Sequence, residues 1–360
     1  MIRIDIRPVW RFRLDEEREF DFRMVPLLEA IERTGKLTHA ARETHVSYRH
    51  AWNLIDQWGR FFGSALVVME KGKGTRLTDL GANLLWAAKR AQARLEPELH
   101  GLASEFARAL NESLYACAPA MTVHASHDLA LAQLLALATD AGITVEAQYR
   151  GSFESLAALR RGECELAGFH VPAGRFGELM ARRYAECLPE DDYVALGFVT
   201  REQGFMVRAG NPLEIRGVAD LARQGVRLVN RQRGSGTRAL LEYLLSAGAI
   251  DRSRVRGYEW EESTHSAVAA LIAGNQADVG VGIRAAAAQY RLGFVPLCTE
   301  RYLLACRRVR LDDPVVAALR DTLASAALAL AVGRLPGYAL DHPGEILEMD
   351  TLGLAAAVAR

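Results

Sequence analysis

Four short segments in the second half of the chain each place a hydroxyl or an imidazole where a helix would begin. They are Ser126-His127-Asp128, Gly151-Ser152-Phe153, Gly234-Ser235-Gly236-Thr237-Arg238 and Ser263-Thr264-His265. A helix N-terminus offers unpaired backbone N–H groups and the positive end of the helix dipole. Several such ends facing one cleft would seat a small anion, and a Gly-Ser-Gly element lets the backbone approach it closely. Taken singly, each segment reads more simply as a helix cap. Four of them at alternate strand ends of one region favour an anion pocket. The residues it would use are Ser126, His127, Ser152, Arg231, Ser235, Gly236, Thr237, Arg238, Thr264 and His265.

Other chemistry fits less well. No Gly-Lys-Ser/Thr follows the Gly-Ser-Gly-Thr run, and no Gly-x-Gly-x-x-Gly opens a helix, which argues against a nucleotide cofactor. Ser126, His127 and Asp128 are contiguous, so their side chains cannot form a catalytic triad with one another. His124 and His127 lack a third ligand at metal spacing. The expectation is therefore a binding protein with no cofactor and no metal, not an enzyme. The five cysteines (117, 164, 187, 298 and 306) stand singly, which argues against a disulfide framework or a zinc site.

A different chemistry stands near the start. In residues 34–52, Leu37, Ala40 and Ala41 have helical spacing, and the two alanines let a second helix cross closely. Ser47 is an N-cap candidate for a helix carrying Trp52, Leu54, Ile55 and Trp58. Trp52 and Trp58 follow the apolar face and read as packing residues. Thr38, Ser47, Tyr48, Arg49, His50 and Asn53 then stand where a recognition helix meets base edges in a major groove. Downstream, Leu66–Met69 and Thr75–Leu77 flank a basic, glycine-bearing tip and predict a wing, with Lys71, Lys73 and Arg76 in reach of phosphates. Residues 33–94 hold eleven Lys/Arg against four acids, while the whole chain balances 44 against 44. A basic segment on an acidic body is the electrostatic footprint of double-stranded DNA binding.

These sites need elements to hold them. Residues 2–14 put Ile2, Ile4, Ile6, Trp10, Phe12 and Leu14 on even positions, which predicts two short strands in a hairpin interrupted at Pro8. Phe22–Glu32 reads as a helix behind the reader. Thr78-Asp79 opens a long helix, broken at Pro97, that would pair with a second copy in a homodimer or homotetramer. Beyond residue 113 short buried strands alternate with helices, at 114–118, 144–147, 166–169, 193–196, 226–229 and 279–281. The fold class expected is α/β: a winged helix-turn-helix and linker helix, then a two-lobed domain with a largely parallel sheet. The expected divisions are 1–95 for the reader with its N-terminal strands, 79–112 for the linker, 113–340 for the two-lobed domain and 341–360 for a terminal helix or tail. No apolar run reaches membrane-span length and residues 1–7 hold no signal core, so a cytoplasmic protein with no membrane partner is expected.

Residues 24–94 resemble the DNA-binding domain of LysR-type and ModE-type regulators. The Ser-Tyr-Arg-His-Ala-Trp-Asn run at 47–53 is closer to the ModE pattern, and Arg76–Gly81 fits both. Residues 113–335 resemble the periplasmic-binding-protein-like domain fused to such readers and found in molybdopterin biosynthesis, through the segments around 126–128, 151–163, 231–238 and 262–282. The resemblance implies a one-component transcriptional regulator whose second domain senses a small anionic effector: molybdate, tungstate or formate. Its targets would be genes for molybdenum or tungsten enzymes or formate dehydrogenase. The alternative is an enzyme or accessory protein of molybdenum-cofactor biosynthesis. One departure, Glu154 in the second loop, would oppose a dianion unless its carboxylate points away.

Overall fold

The structure is a computed structural model. It describes residues 2–14, 17–19, 21, 23–70, 74–114, 120–188, 192–349 and 352. They form two compact units, Arg7–Ala93 and the remainder of the chain, called here the head and the body.

The head begins with an antiparallel pair, β1 (Arg11–Arg13) and β2 (Glu17–Glu19). The hairpin expected within 2–14 is therefore displaced toward its C-terminal side. Residues 2–10 keep the alternation, with Ile2, Ile4, Ile6 and Trp10 more buried than their neighbours, but belong to none of the strands formed by the described residues. Three helices follow: α1 (Met24–Thr34), α2 (Leu37–Glu43) and α3 (Tyr48–Phe62). Met24, Leu27, Leu28 and Ile31 recur at helical spacing and bury one face of α1 against Ala40, Ala41, Leu54, Ile55 and Trp58. Ser47 caps α3 by accepting from the His50 N–H at 3.1 Å. Ser47→Ala is expected to cost about 1 kcal/mol, read as a lower midpoint in denaturation of the purified protein. An unchanged midpoint would show that the cap contributes nothing.

The wing is an antiparallel pair, β3 (Val67–Glu70) and β4 (Gly74–Leu77). Gly74 has a left-handed φ of 93°, and a Cβ there would strike the Gly35 carbonyl. That carbonyl accepts from the Thr75 N–H at 2.8 Å, so the return strand is pinned to the turn after α1. Only glycine permits both the angle and the approach.

The long helix α4 (Asp79–Leu114) contains Pro97 without a break. This corrects the expected interruption: Pro97 costs the helix one N–H donor, and the flanking turns carry the helix through it. The body then runs β5 (Ala120–Ala125), α5 (Leu129–Asp140), β6 (Thr144–Tyr149), α6 (Ser152–Arg161), β7 (Leu166–Pro172), α7 (Arg175–Cys187) and β8 (Tyr193–Val207). It continues with β9 (Asn230–Arg231), α8 (Gly236–Ala247), β10 (Glu261–Glu262), α9 (His265–Ala273), β11 (Val279–Ile283), α10 (Arg284–Gln289) and β12 (Gly293–Arg307). It closes with α11 (Pro314–Leu323), α12 (Ala326–Val332), β13 (Tyr338–Leu340) and β14 (Ile346–Glu348).

The main sheet runs β11-β8-β12-β7-β5-β6, with β13 and β14 also on β8. It is mixed, not largely parallel: β5 pairs in parallel with β6 and β7, whereas β12 is antiparallel to both β7 and β8. The sequence shows strands but not the direction in which a long one is crossed. Three boundaries also differ. The strand expected at 114–118 is β5, whose start lies at 120; Leu114 still belongs to α4, and 115–119 lie outside the described residues. Residues 226–229 make only an isolated bridge, Leu228 to Val279, before β9. The tail expected from 341 contributes β14, paired with β8; residues 350, 351 and 353–360 lie outside the described residues.

β8 and β12, 15 residues each, join two cores. Val194, Leu196, Phe198, Tyr302 and Leu304 pack with α5, α11 and α12 on one side. Phe205, Val207 and the half-buried Val295 pack with α8 and β11 on the other. The body is thus two lobes on two shared strands, with register shifts in β12 at Pro296/Cys298 and Tyr302/Leu304 marking the crossing. Among the described residues, no single helix is long and apolar enough to cross a membrane.

Candidate anion site and nucleic-acid interface

On the head, Thr38, Ser47, Tyr48, Arg49 and Asn53 are exposed along α2 and the start of α3, and His50 is half-buried. Trp52 is 42% exposed, so the packing role read from its spacing is corrected: it stands one turn after Tyr48 on the outer face of α3. Trp58 is fully buried among Phe12, Phe61 and Phe62. Arg76 is exposed on the wing and pairs with Glu70 at 2.6 Å. Lys71 and Lys73 lie outside the described residues.

In the body, the predicted anion residues divide by task. Asp128 caps α5, accepting from Ala130 and Leu131 N–H. Ser235 caps α8 and Thr264 caps α9, accepting from Arg238 and Ala267 N–H. α6 differs: its N-cap is Gly151, with no side chain to cap the first turn. Gly151 also faces the second lobe, since a Cβ on it would lie 3.1 Å from the Gly234 carbonyl. The start of α6 and the loop before α8 therefore meet backbone to backbone. A cavity of about 360 Å3 opens beside them, lined by Ser152, Phe153, Arg183, Ser235, Gly236 and Arg238. Thr237 is buried one residue inside α8. The Ser126 hydroxyl donates to the Arg150 carbonyl at 3.3 Å. Glu154 is exposed, which removes the objection its carboxylate raised.

The two arginines predicted for the site are not equivalent. Arg238 is engaged: its guanidinium donates to Glu261 at 2.5 Å and Glu242 at 3.0 Å and covers the Tyr258 ring. Arg231 is 9% exposed and donates only to neutral oxygens, Gln232 Oε1 at 3.1 Å and the Ser263 carbonyl at 2.9 Å. Among the described residues, no carboxylate stands within ion-pair distance of it. Burial and the nearby Arg201 push its pKa down to about 9, while Glu300 and Glu262 oppose the shift without pairing with it. This is a desolvated cation with no ion pair, an expensive arrangement that an anion would relieve.

Imidazoles surround it. Burial drives His127 down to about 4, with Arg231 among the charges that add to the effect. Its ring meets Tyr149 edge-on at 5.1 Å, and the Tyr149 hydroxyl is 2.5 Å from His100 Nδ1 on α4. Burial holds His265 well below the ordinary histidine range, helped by Arg231 and Arg201. Its Nδ1 has no hydrogen-bond partner.

Two parts of the site were not anticipated from the sequence. His170, on β7, stacks on Tyr302 with ring centres 4.0 Å apart. Arg201 on β8 donates to Asp128 and Glu300, each at 2.5 Å, and its charge acts on Arg231, His170 and His265. Their signal was a polar side chain inside an otherwise apolar strand, as in Phe169-His170-Val171.

The described residues hold no group of three or more His, Cys, Asp or Glu able to bind a metal. Residues 135–324, more than half of the chain, match the family described as the PBP superfamily domain. Residues 22–82 match the bacterial regulatory helix-turn-helix protein, lysR family. The chain belongs to the PBP superfamily and carries a lysR-family regulatory head. Uncharacterized protein YvgK of Bacillus subtilis (strain 168) is 29% identical over 200 residues, covering 56% of this chain and 64% of that protein. The molybdenum transport protein ModE of Azotobacter vinelandii is 38% identical over 92 residues, 24% of this chain and 33% of that protein. The chain thus spans less than two thirds of either. Among solved structures, CbnR, a LysR family transcriptional regulator, aligns over 84% of this chain and 99% of its own, at 17% identity and a TM-score of 0.40.

Proposed function

We propose that this LysR-type regulator binds a small anion between the two lobes of its body and alters operator binding in response. The observation that carries the reading is Arg231: a buried guanidinium with no ion-paired carboxylate, three residues before Gly234, whose carbonyl meets the uncapped start of α6. Molybdate, tungstate and formate are the anions to test first, the first two because a stretch of the chain is similar to part of a molybdenum transport protein. Target genes would then belong to molybdenum or tungsten enzymes or to formate dehydrogenase. Tyr48, Arg49 and Asn53 are the proposed base-reading residues, and Leu102 and Phe106, exposed one turn apart on α4, are proposed to meet a second copy of the chain.

The test is thermal denaturation with molybdate, tungstate, sulfate, formate and acetate. An anion at a hundred times its dissociation constant stabilises the protein by about 2.7 kcal/mol, a clear rise in midpoint. No rise with any of them would remove the anion reading. Arg49→Ala is expected to weaken operator binding by about 1–3 kcal/mol while leaving the anion-induced rise intact. Retention of full operator affinity would move the recognition surface elsewhere.

A further inference from the structure

We propose that His170 takes up a proton when an anion enters the cleft, so that the site binds an oxyanion and a proton together. This rests on the anion reading given above, and it concerns a residue outside the loop motifs that suggested that reading.

The first argument is geometric. His170 is 5% exposed. Its backbone N–H donates to Ser152 Oγ at 3.3 Å, and its Nδ1 lies 3.5 Å from the same oxygen. Its Nε2 is buried with no partner. Ser152 opens α6, the helix whose start has no side-chain cap. A hydroxyl both donates and accepts, so Ser152 serves the neutral ring and the imidazolium alike. In the charged form Nδ1–H turns to Ser152, and Nε2–H is left as a donor for an anion oxygen. The face of Tyr302, stacked at 4.0 Å, favours a cation as well.

The second argument is charge. Arg201 and Arg231 act on His170 directly, and their own neighbours extend the charged set. Arg201 (β8) faces Asp128 (before α5) and Glu300 (β12), with Tyr338 (β13) donating to Asp128. Arg231 (β9) lies near Glu262 (β10), which faces Arg94 (α4) at 3.6 Å. His127 and His265 are the other imidazoles. Arg231 is the buried guanidinium of this set without an ion pair, so it meets part of an entering anion's charge. Glu300 and Glu262 already act on it from beyond ion-pair distance, so the rest of that charge stays uncompensated in a buried site, which is costly. A proton on an imidazole meets it.

Before binding, burial and the charges of Arg201 and Arg231 hold His170 well below its ordinary range, so the ring is neutral near pH 7. An anion beside it raises that value. The proton is then taken up between the two values, and affinity falls as pH rises through that window.

The experiment is calorimetric titration of the full chain with molybdate and with formate, between about pH 5 and 7, in buffers of different ionisation enthalpy. Formate stays ionised across that window; molybdate is titrated only at its neutral end, because toward the acid end it takes up protons and condenses. The expected result is a binding heat that depends on the buffer, an affinity falling by up to about tenfold per pH unit, and loss of both effects in His170→Gln. His170→Asn replaces it if the first variant does not fold. Buffer-independent heat in the wild type overturns the proton linkage while leaving anion binding standing. Persistence of the linkage in either variant moves the proton to another group and overturns the assignment to His170. Absence of heat with both anions, together with no rise in denaturation midpoint, overturns the anion reading itself.

Discussion

Replacing Arg201 with methionine is expected to destabilise the body by about 3–5 kcal/mol. Arg201 lies where β8 passes from one lobe to the other, and its side chain is 4% exposed. It donates Nη1 to Asp128 Oδ2 and Nε to Glu300 Oε1, each at 2.5 Å. Both carboxylates have further partners: Tyr338 donates to Asp128 at 2.6 Å and Gln203 to Glu300 at 2.7 Å. Burial opposes the arginine charge, but Glu300 and Asp128 outweigh it and keep the guanidinium ionised. Methionine fills much of the volume and removes the cation, leaving two carboxylates facing each other in a dry hinge. Adding Asp128→Asn and Glu300→Gln to the variant should recover much of the loss, because it is the uncompensated charge that costs. Denaturant titration of the three proteins tests this. A loss below about 1 kcal/mol in the single variant would place the hinge in contact with water and make the network decorative.

This network also shows where sequence reasoning stops. The reader helices were legible because their signals are local: a serine cap, alanines at a helix crossing, a glycine turn between strands. The caps at 235 and 264 and the loop at 151–152 were legible for the same reason. Arg201, Glu300 and Asp128 are 73 to 99 residues apart in pairing and meet only because β8 and β12 run antiparallel through both lobes. That pairing direction is not written in strand periodicity, which is why a largely parallel sheet was expected. Arg231 and Arg238 look alike in sequence; burial without a carboxylate separates them, and it depends on Glu261 and Glu242 being spent on Arg238. Trp52 was misread because spacing assigns a face to a helix but not where that face ends.

The same contrast gives the prediction that best separates function from structure. Arg231→Gln is expected to weaken anion binding by about 2–5 kcal/mol, roughly 30-fold to several thousandfold. In the anion-free protein it should do the reverse of most core substitutions. Arg231 holds its charge in the interior on two neutral oxygens, and removing an unpaired buried cation relieves desolvation. Glutamine can keep the bond to the Ser263 carbonyl, so little packing is lost. The ligand-free midpoint should rise, by about 1–2 kcal/mol in stability, while the rise induced by the anion disappears. A residue present for packing would lower the midpoint instead. Arg238→Gln supplies the control: it breaks the pairs with Glu261 and Glu242 and should lower the midpoint with or without anion. If Arg231→Gln behaved as Arg238→Gln does, Arg231 would be a structural arginine and the cleft would have no cation to offer. Opposite signs would show that the body carries Arg231 at a cost to its own stability, and an anion is the partner that repays it.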